Sequence, residues 1–379
     1  MKNKGIWVII AVVAALAIAA VAWFIATRGP KVNPNARPGE LRWMLKVGMT
    51  VSSYIECDGR RVYCTGPSIW GLGKPRLFAY DAANGKRLWT RPIWRGSPCL
   101  MEGVGIFTAK SRSNRIKVLD ERTGNVKWGF DSPYGVYEAQ RLDGNTICMC
   151  AGQGLAAIDA KTGVPKWVLP DDDSEGFYPP SIPGDGHIYV YAPTDAGTVR
   201  AIDARTGKEA WETDTGEWVR DITAGAGAVY LHHGDNVLHA LDAKTGQEKW
   251  AYNAVTRFEH GIFVGDGRVY AKTRNAVVCL RPEDGTEVWA FPAKRMSWMT
   301  GFAARGGILY CGIDNSLCAL DAATGAPKWR FQVKGDVIGA PVISGDTAYF
   351  ETLVMYTKHL YRGYLYAVVA EPEGQNAGP

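Results

Sequence analysis

Three histidines crowd one short stretch of this 379-residue chain, His232, His233 and His239, and clustered imidazoles can hold a transition metal. The spacing argues against it. If the stretch is a hairpin, neighbouring strand residues point to opposite faces, so His232 and His233 cannot both turn toward His239, and polar strand positions are the plainer reading. Asp171-Asp172-Asp173-Ser174-Glu175-Gly176 opens like a calcium loop, yet the twelfth position, where such a loop needs a bidentate glutamate, is Ile182. A solvated acidic loop is expected there. No Cys-x-x-Cys occurs among the eight cysteines, which removes the usual zinc and redox patterns. Cys64, Cys148, Cys150, Cys279, Cys311 and Cys318 fall in strand-like runs, where cysteine acts as a small hydrophobe. If Asp314-Asn315 is a two-residue turn, Cys311 and Cys318 stand opposite one another, as packed thiols or as a strained cross-strand disulfide. Gly-x-Ser-x-Gly, His-Glu-x-x-His and P-loop patterns are absent, so no catalytic or metal-binding residue is assigned and the chain leans away from being an enzyme.

Stronger binding character lies in aromatic residues interleaved with arginine: Trp94, Arg95, Tyr134, Tyr137, Phe177, Tyr178, Trp218, Arg220, Arg257, Phe258, Arg295 and Trp298, with Trp70 and Tyr361 in separate insertions. Aromatic and arginine side chains dominate binding hot spots. The same rings could equally plug the centre of a repeat architecture as ordinary core.

The elements that place these residues are repeats. Residues 199–211 read Val-Arg-Ala-Ile-Asp-Ala-Arg-Thr-Gly-Lys-Glu-Ala-Trp, and the phrase recurs at 77–89, 116–128, 155–167, 238–250, 277–289 and 317–329. A second-half copy ends at Trp43 and a first-half copy starts at Leu365, so one unit is split between the chain ends. Trp43, Trp89, Trp128, Trp167, Trp211, Trp250, Trp289 and Trp329 therefore mark eight units, spaced 46, 39, 39, 44, 39, 39 and 40 residues apart. That spacing suits propeller blades of four strands. Leu-x-Ala-Leu-Asp is apolar on both faces, as a strand sandwiched between neighbouring blades must be. Asp-x-x-Thr-Gly then supplies a bulged hairpin turn, and the Trp begins the return strand. Alanine at 79, 157, 201, 240, 319 and 367 is expected to leave room for an indole from an adjacent blade. The upstream Gly-Asp-Gly-Arg-Val-Tyr at 265–270 and its parallels form the first hairpin of each unit. With strands A to D, the D-to-A connections and B-to-C turns share one face, which gathers the aromatic and arginine set there.

Residues 5–27 are uncharged and mostly apolar, long enough to span a bilayer and longer than the apolar core of a usual signal peptide. We expect a transmembrane signal anchor over residues 1–27, a Pro/Gly-rich tether over 28–39, an all-β eight-bladed propeller over 40–370 closed by its N- and C-terminal strands, and a fraying tail over 371–379. No cysteine precedes Cys57, so there is no site for a lipoprotein anchor. Of 43 Lys and Arg, four fall in the first 31 residues, and the remaining 39 meet 38 Asp and Glu, which gives no electrostatic case for nucleic acid binding.

The phrase Leu-x-Ala-Leu-Asp-Ala-x-Thr-Gly-x-x-x-Trp, carried through residues 77–329 and closed by Trp43 and Leu365, resembles the PQQ-like β-propeller repeat. Its members include quinoprotein dehydrogenases and the propeller subunit of the outer-membrane β-barrel assembly machinery. Departures are specific: there is no adjacent Cys-Cys pair, an apolar span replaces a lipid anchor, and Arg281 replaces the repeat aspartate in the sixth unit. No cofactor-binding residue carries over. The resemblance and the aromatic face together lead us to expect a monomeric, membrane-anchored, extracytoplasmic scaffold in the periplasm or at the cell surface, bound to an envelope protein and without cofactor. The alternatives are a PQQ- and calcium-dependent oxidoreductase and an extracytoplasmic sensor for glycans or peptides.

Overall fold

The structure is a computed structural model that describes residues 30–48, 54–66, 75–93, 98–109, 115–132, 136–151, 154–170, 181–182, 184–191, 197–294, 300–357 and 360–371. The apolar run at 5–27 and the acidic stretch at 171–176 lie outside these residues. Among the described residues no helix is long and apolar enough to cross a membrane.

Eight antiparallel sheets follow one another around the ring. Strand β1 (Leu41–Gly48) comes first in the chain but belongs to the last blade. Blade 1 holds β2–β5 (Ile55–Cys57, Arg61–Gly66, Arg76–Asp81, Arg87–Pro92), blade 2 β6–β9 (Cys99–Met101, Gly105–Ala109, Arg115–Leu119, Val126–Asp131), and blade 3 β10–β13 (Val136–Arg141, Thr146–Ala151, Gly154–Asp159, Pro165–Pro170). Blade 4 holds β14–β16 (His187–Tyr191, Thr198–Asp203, Glu209–Asp214), and blade 5 β17–β20 (Asp221–Gly225, Ala228–His232, Val237–Asp242, Glu248–Asn253). Blade 6 holds β21–β24 (Phe258–Gly265, Arg268–Thr273, Ala276–Leu280, Glu287–Pro292) and blade 7 β25–β28 (Phe302–Arg305, Ile308–Ile313, Ser316–Asp321, Pro327–Gln332). Blade 8 joins β29–β31 (Asp336–Ser344, Thr347–Thr357, Leu360–Val369) to β1. Among the described residues blade 4 shows the three strands β14–β16 and, beside β14, a bridge between Ser181 and Tyr189.

Blades 1, 4, 5, 7 and 8 are built on a Tyr–Ala–Trp row, while Cys148 replaces the tyrosine in blade 3 and Cys279 the alanine in blade 6. In blade 5, Ala240 pairs with Tyr230 on one side and Trp250 on the other, and the two rings lie 5.7 Å apart over the alanine. The alanine thus makes room for the indole of its own blade, not that of an adjacent one. It is the indole that reaches across: Trp250 Nε1–H donates to Pro282 O of blade 6 at 3.0 Å, and Trp43, Trp89, Trp167, Trp211 and Trp289 make the equivalent bond. Blade 2 tests the logic, because Val118 replaces the alanine opposite Trp128. There Phe130, rather than the indole, covers the next blade's turn at Gly163.

The Asp-x-x-Thr-Gly turns close as bulged hairpins. Asp203 Oδ1 accepts from the N–H of Arg205 and Thr206, and Gly207 N–H donates to Asp203 O at 2.8 Å. Gly207 has φ +72°, and a Cβ there would stand 2.6 Å from the Trp167 ring, so both conformation and packing require glycine. In blade 6 the two backbone bonds survive without the aspartate, Arg281 N–H to Thr286 O and Gly285 N–H to Arg281 O, while Asp284 pairs with Arg281 at 3.4 Å.

Ring closure repeats this turn without a covalent link. In blade 1, Asp81 N–H donates to Lys86 O and Gly85 N–H to Asp81 O. In blade 8, Val369 N–H donates to Glu40 O and Gly39 N–H to Val369 O. Gly39 then sits under Trp329 as Gly85 sits under Trp43. Arg42 grips both oxygens of Asp346 at 2.7 and 2.8 Å, fixing β1 to the hairpin between β29 and β30. Cores lie between blades: Trp43, Val62, Cys64, Phe78, Tyr349 and Leu365 join blade 8 to blade 1. Asp314 and Asn315 form the anticipated turn with φ of 48° and 59°, Cys311 pairs with Cys318 in register, and all eight cysteines are free thiols.

Candidate functional site

On the face where the D-to-A connections emerge, blades 5 and 6 carry the described part of the aromatic and arginine set. The connection from β16 to β17 leaves Trp218 46 % exposed with Arg220 also in solvent, and the connection from β20 to β21 exposes Val255 and Arg257. These segments are tied to the turn between β18 and β19: Arg220 N–H donates to His232 O, His233 Nδ1 lies 3.3 Å from Trp218 O, and Phe258 N–H donates to Asp235 O at 2.6 Å. Phe258 itself is not a surface residue. It is 2 % exposed and packs beside Tyr252, because it opens β21 and points between blades. Tyr137 and Tyr361 fall within β10 and β31, whereas Trp70, Trp94, Arg95, Tyr134, Phe177, Tyr178, Arg295 and Trp298 lie outside the described residues.

The histidines separate as strand alternation requires. The His233 and His239 rings approach to 5.4 Å, and His239 Nδ1 meets Glu248 at 2.9 Å. His232 turns the other way, buried, against Phe258 and His260. Among the described residues no group of three His, Cys, Asp or Glu is arranged to hold a metal.

A central cavity of about 590 Å³ opens among the inner strands of blades 1, 2, 3 and 8 and Ile182 of blade 4. Glu56 on β2 and Arg141 on β10 face it, with Tyr54, Gln140 and Glu102. Glu56 Oε2 accepts the Leu100 N–H at 3.0 Å, crossing from blade 1 to blade 2. Burial raises its pKa to about 7, against the pull of the Tyr54 hydroxyl, of the Leu100 N–H and of Arg141. Asp58 at the lower rim is fully committed, to Arg61 at 2.8 Å, to the Tyr63 hydroxyl and to two backbone N–H groups.

Buried ionisable residues between blades were missed from sequence. Two positions beyond the repeat tyrosine on the second strand of a blade stand His232, Lys272 and Glu351, each 0–1 % exposed. Aligning the units on Tyr230, Tyr270 and Tyr349 would have revealed them. Burial lowers the His232 pKa to about 4 and that of Lys272 to about 8. Lys272 donates to Thr300 O of blade 7. Glu351 faces the Cys64 thiol without a nitrogen or oxygen partner among the described residues, and burial holds its carboxyl well above the usual range.

The family described as "Outer membrane protein assembly factor BamB" matches residues 14–106, 76–181, 174–273 and 273–367. The chain belongs to this family of PQQ-like propeller repeats. The BamB of Nitrosomonas eutropha is 27 % identical over 170 residues, 40 % of this chain and 39 % of the relative, so the match spans well under two thirds of that protein. Among solved structures, BamB from Moraxella catarrhalis superposes with TM-score 0.59 at 14 % identity, covering 86 % of this chain and 99 % of that one. Quinohemoprotein alcohol dehydrogenase from Comamonas testosteroni superposes with TM-score 0.64 at 14 % identity, covering 90 % and 78 %. At such identities the likeness is one of fold.

The dehydrogenase neighbour invites a fit test for pyrroloquinoline quinone. That cofactor is a tricarboxylate and needs cationic walls. The described lining offers a single guanidinium, Arg141, beside the carboxyl groups of Glu56 and Glu102, with Asp58 taken by Arg61, too little positive charge for three carboxylates. The walls do not fit the group.

Proposed function

We propose that this chain is a membrane-anchored, extracytoplasmic propeller that acts as a non-enzymatic protein-binding scaffold for an envelope protein. The reading rests chiefly on the family match across residues 14–367, whose description is an assembly factor of the outer membrane. The apolar run at 5–27 supplies the anchor and the tether at 28–39 the reach. The exposed Trp218, flanked by Arg220 and Arg257 on one face, is the chemistry of a hot spot, with a large ring to bury and guanidinium groups to orient the partner. Trp70, Trp94, Arg95, Tyr134, Tyr137, Phe177, Tyr178, Arg295, Trp298 and Tyr361 extend the same proposed surface.

The test is a photo-crosslinking residue in place of Trp218 in the full chain, expressed in its own cells. Discrete adducts with one envelope protein are expected, and a matched residue at Lys166 on the opposite side of the ring gives none. Equal adducts from both positions would remove the assignment of the face. Protease added outside intact cytoplasmic membranes digests the propeller on this reading; protection contradicts the extracytoplasmic placement.

A further inference from the structure

The central cavity is a second site, separate from the loop face. Its walls combine a carboxylate, a phenol, an amide and a guanidinium from different blades, enclosing about 590 Å³, the volume of a small-ligand pocket. Two of these groups have capacity left over. Glu56, which lines the cavity, uses Oε2 for the Leu100 N–H, and Oε1 is the second acceptor of the same carboxylate. Tyr54, two residues earlier on the same face of the chain, has a buried hydroxyl that leans on the Glu56 carboxylate and, among the described residues, has no other hydrogen-bond partner. Asp58 is saturated by Arg61, Tyr63 and backbone, and so serves as frame. What remains is a carboxylate and a phenol oxygen, with Glu102 as a further lining carboxylate beside Arg141.

We propose that the cavity binds a nitrogen cation with several N–H donors, an ammonium or guanidinium group, held by Glu56 Oε1 and the Tyr54 hydroxyl. The group comes either from a lysine or arginine side chain of a bound polypeptide or from a free polyamine. Such a cation supplies further donors to the two oxygens and the counter-charge that a half-buried carboxylate requires. Arg141 lines the blade 3 side of the cavity.

Calorimetric titration of the full-length protein in detergent, with Nα-acetyl-arginine amide, Nα-acetyl-lysine amide and spermidine as probes, tests this. Saturable binding at pH 8 is expected for at least one probe. It weakens about tenfold at pH 6, because Glu56 takes up a proton near pH 7 and the neutral acid no longer attracts a cation. Glu56→Gln abolishes binding and its pH dependence, and Tyr54→Phe weakens it several-fold. Preference for the amino-acid amides points to an inserted side chain, and preference for spermidine to a free polyamine. No saturable heat from any probe at pH 8, or affinity unchanged between pH 8 and 6, overturns the proposal without recourse to a variant.

Discussion

The Tyr–Ala–Trp row makes single residues answerable for blade-to-blade cohesion. Trp43 is fully buried, stacks near Tyr349 at 5.9 Å and donates to Ala82 O at 3.0 Å. Trp43→Ala therefore costs about 3–5 kcal/mol in urea denaturation, and Trp167→Ala, whose ring is only half buried, costs less. The buried His232 gives the chain an acid-sensitive joint. Facing it are Asp221 and Arg220 from the preceding strand and loop, Asp235 from its own hairpin, and His260 from blade 6. Its folded pKa of about 4 lies below the unfolded value near 6.5, so the native state resists protonation and stability is lost as pH falls through that window. Relative to His232→Gln, the wild-type protein loses about 2 kcal/mol between pH 7 and pH 5, measured by thermal or urea unfolding at the two values. Glu351 works with the opposite sign. Its carboxyl binds a proton more tightly when folded, so its contribution is full below pH 4.5 and declines as pH rises, and Glu351→Gln removes that slope.

At the scale of strands and turns, the split blade is the joint on which the ring depends. Blade 8 takes β1 from one end of the chain and β31 from near the other, and the interrupted turn is restored by two backbone bonds and the Arg42–Asp346 pair. Removing residues 1–48 exposes the edge of β31 and unpairs Trp329 from Gly39. We expect unfolding to lose its single transition and the truncated chain to associate through the open edge, seen by calorimetry and light scattering. A single sharp transition at unchanged temperature would contradict this. Much of this level was legible in sequence, because the 13-residue phrase encodes its own strand, turn and return strand, and two half-copies announce closure. Local code could not say which blade an indole serves. That depends on packing across the Tyr–Ala–Trp row, visible only when Ala240 is placed between Tyr230 and Trp250. The candidate sites were less legible still. Phe258 reads as a loop aromatic yet opens a strand and is buried, and Glu56 and Tyr54 carry no motif at all, since ring closure alone brings them opposite Arg141.

For the whole molecule, the fold supports several functions and the distribution of groups selects among them. The family description names an assembly factor, a solved dehydrogenase shares the architecture, and the described lining of the central cavity offers one guanidinium, Arg141, to a tricarboxylate cofactor. The account holds that the work is done by a loop face that buries Trp218 against a partner, on a ring tethered to a membrane. Affinity capture of the full-length protein from detergent-solubilised membranes tests this most directly, comparing wild type with a Trp218→Ala, Arg220→Ala, Arg257→Ala variant of equal thermal stability. The account predicts one envelope protein retained at stoichiometric yield by the wild type and reduced at least tenfold in the variant. Equal retention by both proteins, or quinone-dependent dye reduction by the wild type after addition of PQQ and calcium, would contradict it.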